Sequence, residues 1–102
     1  MKFDKLKKFK TDFDALPVEH RRAFRSAMPL FNAACEAYAA NPATLWPANL
    51  RVKRMAGHKG IWEMTWSFAQ PDGRATFEFI RIDNELAVRW RRIGRHDIFR
   101  EP

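Results

Sequence analysis

The feature that most constrains this chain is a change of hydrophobic period near its middle. In the first part the apolar residues recur every three or four positions: Phe3, Leu6, Phe9, Phe13 and Leu16, then Phe24, Met28, Phe31, Cys35 and Tyr38. From Ile61 onward they alternate. Trp62, Met64, Trp66 and Phe68 fall on one parity, and Ile61, Glu63, Thr65 and Ser67 on the other. A helix gathers every third or fourth side chain on one face, whereas a strand alternates faces residue by residue. The two parts therefore need different elements: helices first, then strands.

Local signals set the boundaries. The first amphipathic helix is expected to end before Pro17, and its opening residues are also compatible with a short strand. Pro17 suits the first turn of a second helix. Pro29 falls inside that helix and is expected to kink or split it, since proline lacks the N–H and crowds the preceding turn. Asn41 to Pro47, with two prolines, is a connection. Leu50 to Met55 fits a strand, followed by a turn at Gly57-His58-Lys59-Gly60. Gln70-Pro71-Asp72-Gly73 is a hairpin loop signal. Arg74 to Ile82 is the next strand, with Phe77 and Phe79 on one face and Arg74, Thr76 and Glu78 on the other. Asp83-Asn84-Glu85 is a tight turn. Leu86 to Ile93 is the last strand, with Leu86, Val88 and Trp90 inward and Arg89 and Arg91 outward. The expected fold is α+β: two N-terminal helices packed on a three- to four-stranded antiparallel sheet, all in a single domain over 1–102. The sheet face away from the helices collects Glu63, Thr65, Arg74, Thr76, Glu78, Arg89 and Arg91. That set suits either a solvated sheet with cross-strand ion pairs or a contact surface.

Composition narrows the classes. Nine Phe and four Trp in 102 residues argue against a disordered tail. The lone Cys35 excludes a disulfide scaffold. No run of about 18 apolar residues is present to span a membrane. The opening MKFDKLKKFK lacks the apolar core of a signal peptide, so a cytoplasmic protein is expected. Lys and Arg number 19 against 12 Asp and Glu, a net charge of +7. The positive charge sits in a lysine block from Lys2 to Lys10 and an arginine-rich C-terminal half, with no Lys or Arg between Ser26 and Leu50. Such a balance favours polyanionic partners, and arginine is suited to planar phosphate recognition.

Few motifs carry chemistry. There is no phosphate-binding glycine loop, HExxH or CxxC. His20, His58 and His96 lie in separate local contexts, and no metal site is expected from them. Cys35 falls on the apolar stripe and reads as core. Glu63 and Glu78 are open to two readings, a carboxylate pair or ion pairs with nearby arginines. His96 follows Gly94 at the end of a strand, among Arg92, Arg95 and Arg100, and an imidazole there can exchange a proton near neutral pH.

Several segments together carry a family resemblance. The run Leu50-Arg51-Val52-Lys53-Arg54-Met55-Ala56-Gly57-His58-Lys59-Gly60-Ile61-Trp62-Glu63-Met64 resembles the strand, glycine turn and aromatic-Glu strand of RelE/ParE-superfamily toxins. Asp72-Gly73-Arg74-Ala75-Thr76-Phe77 is similar to their following strand, which opens with an arginine. Trp90 to Phe99 resembles their strand-Gly-x-His-Asp-x-aromatic ending, and Phe13-x-x-Leu16-Pro17 before a helix also fits. The likeness spans about Phe9 to Phe99. It implies a RelE-like microbial ribonuclease-type fold and the toxin of a bacterial type II toxin–antitoxin module, with a cognate antitoxin as partner.

For members resembling RelE, HigB, YoeB or YafQ, the resemblance implies a ribosome-dependent mRNA endoribonuclease that inhibits translation and uses no metal or other cofactor. Carried over residue by residue, it implies His96 as general acid or base, Arg74 as stabiliser of phosphate charge and Arg95 as a cation beside the scissile phosphate. Lys53 or Arg54 stands where members keep a catalytic or phosphate-binding cation. Phe99 matches a terminal aromatic that stacks on a base. Arg91 belongs to the RNA-binding set. His58 and Lys59 either contact RNA or form a polar loop. Glu63 is either a base or a structural ion-pair partner. Where some members carry tyrosine this chain has Phe99, which transfers no proton. Two other readings remain at this stage: a ParE-like inhibitor of DNA gyrase on the same fold, and a nucleic-acid-binding module without catalysis.

Overall fold

The computed structural model describes residues 1–67 and 73–102. The expected loop residues Gln70, Pro71 and Asp72, and Phe68 at the end of the alternating run, lie outside the described residues, as do the side chains of Ser67 and His96. The chain opens with strand β1 (Lys2–Lys5) and helix α1 (Lys7–Ala15). Helix α2 (Val18–Ala40) and a 3₁₀ turn at Ala48–Leu50 follow. Strands β2 (Lys53–Arg54), β3 (Trp62–Ser67), β4 (Gly73–Ile82) and β5 (Glu85–Gly94) come next, and a second 3₁₀ segment spans His96–Arg100. The described strands form one five-stranded sheet in the order β1-β5-β4-β3-β2.

The two-helix α+β layout is therefore present, with a wider sheet than three or four strands and one parallel pair. β1 runs parallel to β5, and the other neighbours are antiparallel. Phe3, which continues the helical spacing of Leu6 and Phe9, sits in a strand, the alternative that the opening residues also allowed. β5 needs a partner along its outer edge, and β1 supplies one over Lys2↔Ala87 to Lys5↔Trp90. The Leu6 N–H then donates to the Trp90 carbonyl at 2.8 Å, where the strand gives way to α1.

Leu16 is extended before Pro17, as the residue before proline prefers. Pro17 stands at the N-cap, its carbonyl accepting from the His20 and Arg21 N–H groups at 3.0 and 3.1 Å. Pro29 does not split α2. Its ring is exposed, so the Arg25 carbonyl that loses its partner lies on the solvent side of the helix. Leu50 to Met55 yields only the two-residue β2, because Leu50 closes the 3₁₀ turn and Arg51 adopts a left-handed conformation at φ 47°.

The core lies between the helices and one sheet face. Phe31 meets Trp90 at 5.0 Å and Phe77 at 5.2 Å between ring centroids, and Phe24 meets Trp90 at 5.1 Å. Met64, Phe77, Val88 and the thiol of Cys35 are fully buried among them. The Asp83-Asn84 turn has both residues at positive φ, 52° and 65°, the backbone a two-residue hairpin with right-twisted arms requires.

A bulge in β5 has a consequence for the opposite face. Thr76 pairs with Arg92 but Phe77 pairs with Trp90, so Arg91 is the extra residue. Trp90 and Ile93 both enter the core, 5% and 1% exposed. The intervening Arg91 and Arg92 both leave on the helix-free side, where Thr76 and Glu78 lie.

Candidate functional site

The helix-free face is built by cross-strand neighbours. Lys53 pairs with Glu63, Glu63 with Thr76 and Thr65 with Arg74. On the other flank Thr76 pairs with Arg92 and Glu78 with Arg89. Residues directly opposite on neighbouring strands share a face, so the period-two pattern alone brings this polar set together. A cleft of about 320 Å³ opens among Arg51, Val52, Lys53, Glu63, Thr65 and Arg74.

Arg74 is half-buried, and its Nη1 donates to the Thr65 hydroxyl at 2.8 Å. Thr65 is 2% exposed, so this anchor fixes the guanidinium at the cleft wall. Lys53 Nζ stands 3.7 Å from Glu63, whose side chain is largely covered. Glu63 is thus an ion-pair partner within the cleft. Glu78 accepts from Arg91 Nη1 at 2.5 Å, so the two acids each serve a cation and do not form a carboxylate pair. Arg51, in a conformation long side chains rarely adopt, also lines the cleft.

Arg54 goes elsewhere. One residue along β2 from Lys53, its guanidinium lies 5.1 Å from the Trp62 ring centroid. Strand alternation puts it on the helix side, away from Lys53 and Arg74. His58 is half-buried and lines a second groove with Arg91, Arg92 and Arg100. Lys59 is exposed in the same turn, which Gly57 and Gly60 shape at φ 79° and 80°.

The C-terminal candidates follow β5 without a linker. Arg74 pairs with Gly94, so Arg95 and the backbone of His96 come directly after the Arg74 end of the face. Arg95 is exposed, its backbone N–H donating to Asp97 Oδ1 at 3.2 Å. Phe99 is half-buried. Ile98, 2% exposed, packs down at Gly94, where an added Cβ would stand 2.9 Å from the Ile98 Cγ2.

Asp12 of α1 holds this corner. Its carboxylate receives Arg92 Nε at 2.6 Å and Nη2 at 3.2 Å, and the Ile93 N–H at 3.2 Å. β1 has already ended at Lys5, so a side-chain oxygen takes over the edge N–H that a strand carbonyl would otherwise receive. The hydrogen bond that Arg92 donates to Asp12 raises the Arg92 pKa further above its ordinary value. On the β1 flank, the Lys5 backbone N–H and then the Arg89 guanidinium hold the Asp4 carboxyl below the usual carboxylate range. Burial pushes the Cys35 thiol up to about 12, which fits a core side chain and not a nucleophile.

Sequence reading assigns Arg51 and Lys8 no role of their own and names Arg92 and Arg100 only as neighbours of His96, yet all line this face. Arg51 shares the parity of Lys53, a signal available in the sequence. Lys8 arrives only through the packing of α1 beside β5. Among the described residues no three His, Cys, Asp or Glu side chains cluster as metal ligands. No described helix is long and apolar enough to cross a membrane. A further groove of about 510 Å³, floored by Phe3, Phe9, Phe13, Phe24 and Trp90 and edged by charged side chains, lies on the helix side. It contains none of these candidates.

No family model and no curated protein sequence matches the chain. Among solved structures it is similar to a YoeB/ParE toxin from Agrobacterium tumefaciens, with a TM-score of 0.56 and 12% sequence identity over 94% of this chain and 99% of that one. At that identity the likeness is one of architecture: the chain shares the α+β fold of that toxin, with two helices on a mixed five-stranded sheet among the described residues.

Proposed function

We propose that this protein is the toxin of a type II toxin–antitoxin pair, and that it acts as a ribosome-dependent, metal-independent mRNA endoribonuclease in the cytoplasm. The observation that carries this reading is the arginine-lined sheet face, where Arg74 is anchored on Thr65 beside Arg51 and Lys53. The toxin-like fold supports it. In the proposed reaction the RNA 2′-oxygen attacks the adjacent phosphorus and the bond to the 5′-oxygen breaks. The products are a 2′,3′-cyclic phosphate and a free 5′-hydroxyl. A base takes the 2′-hydroxyl proton and an acid delivers one to the leaving oxygen, and His96 is the side chain assigned to one of these tasks.

The phosphorane-like transition state gathers negative charge on its equatorial oxygens. Arg74, Lys53 and Arg95 are assigned to that charge, since preorganised cations need little rearrangement as it develops. Arg91, His58 and Lys59 are assigned to the RNA backbone and Phe99 to stacking on a base. Arg54, on the helix side, is assigned to a flanking contact at most. The partners that follow are the ribosome with its mRNA and an antitoxin that covers the basic face.

Primer extension on ribosome-bound mRNA tests the proposal. Added protein is expected to produce discrete stops within the reading frame, and Arg74→Ala or His96→Ala to lower cleavage by about 10²-fold or more. Intact mRNA together with blocked gyrase supercoiling would replace this reading with a ParE-like one. RNA binding with neither effect would leave a non-catalytic module.

A further inference from the structure

The second groove on the helix-free face, about 540 Å³, is lined by basic side chains from four separate elements. Lys8 comes from α1, His58 from the glycine turn, Arg91 and Arg92 from the β5 bulge, and Arg100 from the last 3₁₀ segment. Glu78 pairs with Arg91 and Asp12 with Arg92, and the chain's own residues 101 and 102 bring further oxygens to the set. Arg91 Nε donates to the Pro102 backbone oxygen at 3.1 Å, and Thr76 Oγ1 to the same oxygen at 3.0 Å. Arg92 Nη1 donates to the Glu101 carbonyl at 3.1 Å, and Lys8 Nζ reaches Glu101 Oε2 at 3.5 Å.

Four donors from three elements thus converge on oxygens of a two-residue stretch. Thr76 is 0% exposed beneath it, and Pro102 is itself buried. The arginines are held for this task by other groups, Arg91 through Glu78 and Arg92 through Asp12. A fixed fork of N–H donors with a hydroxyl beside it is the arrangement that receives the two non-bridging oxygens of a phosphodiester.

We infer that the Arg91–Arg92–Thr76–Lys8 cradle is a phosphodiester-binding subsite, and that Glu101 and Pro102 occupy it as an internal surrogate which the nucleic-acid backbone displaces. The choice of RNA as ligand rests on the proposed function; the cradle's preference for phosphodiester oxygens does not. On displacement Arg92 exchanges the Glu101 carbonyl oxygen for a charged one, and the Glu101 carboxylate leaves the basic face. Both changes favour a polyanion, while the displaced contacts subtract from the affinity of the full chain.

The test compares the full chain with one ending at Arg100, using a short 2′-O-methyl oligoribonucleotide, which binds without being cut. By fluorescence anisotropy the shortened chain is expected to bind about tenfold tighter, its log K against log salt steeper by about 0.7 per added phosphate contact. Equal or weaker affinity in a shortened chain that melts like its parent would overturn the inference, as would no binding by either chain at low salt. Should the shortened chain fail to fold, a nitroxide at Glu101→Cys in the full chain decides, since buried Cys35 escapes labelling. Its spectrum is expected to sharpen as the oligonucleotide saturates, and an unchanged spectrum at saturation refutes displacement. Binding is read without ribosomes, so the two proposals fail separately. A chain that gains affinity on shortening but cuts no mRNA keeps the subsite and loses the nuclease. One that cuts mRNA but is indifferent to shortening does the reverse.

Discussion

Arg74 shows how much one residue's neighbours decide. An arginine at the start of a strand is ordinary. One whose Nη1 is tied to a buried threonine hydroxyl at 2.8 Å, next to Arg51 and Lys53, holds positive charge in a fixed place. Arg74→Lys keeps the charge but not the fork, so cleavage is expected to fall between wild type and Arg74→Ala. Single-turnover cleavage on programmed ribosomes measures the order. Cys35 shows the opposite case, a reactive side chain made inert by its surroundings. The folded thiol, pushed up to about 12 from an ordinary value of 9.0, holds its proton more tightly than the unfolded one. Its contribution to stability is therefore complete below about pH 9 and is lost as pH rises toward 12. Urea unfolding at a series of alkaline pH values should show this fall, and the fall should shrink in Cys35→Ala. Iodoacetamide at pH 8 should label the unfolded chain far faster than the folded one.

At the scale of elements, the end of β5 depends on contacts from distant sequence. Asp12 receives two N–H groups of Arg92 and the edge N–H of Ile93, with side-chain exposures of only 18% and 21% for the Asp12–Arg92 pair. Asp12→Ala leaves all three N–H groups short of an acceptor and should lower stability by about 2 kcal/mol, read from the urea midpoint. Gly73 is required for a different reason. A Cβ there would stand 2.4 Å from the Trp66 indole, which is itself 6% exposed. Gly73→Ala should cost about 1–3 kcal/mol through overpacking and lower the melting temperature. These positions also mark the limit of what pattern reveals. The parity of Trp62, Met64 and Trp66 is printed in the sequence. The β5 bulge is not: it becomes visible only when Trp90 and Ile93, three apart, both prove buried.

For the whole molecule, the net charge of +7 is divided by the sheet. Arg25 and Arg54 lie over aromatic rings on the helix side, while Arg51, Lys53, Arg74, Arg91, Arg92 and Arg100 line the other face. RNA binding should accordingly weaken steeply with salt, and Lys53→Ala should reduce the slope by about 0.7 if one phosphate contact is lost. Arg54→Ala, from the helix side, should leave the slope nearly unchanged. Anisotropy titrations across a salt series compare the two directly.

The sequence by itself determined the class of elements, their order and most of the helix-free face, because period and parity are local properties written in successive residues. Phe77 and Phe79 had to oppose Arg74, Thr76 and Glu78 wherever the strand went. Only the tertiary structure decided that Lys2–Lys5 is a strand, since its helical spacing gives way to a hydrogen-bonding edge of β5 more than 80 residues distant. It also decided which of the adjacent Lys53 and Arg54 turns toward the helices, and that Lys8, Thr76 and Pro102 line one corner. Such meetings depend on how the chain closes on itself, and no window of neighbouring residues encodes them.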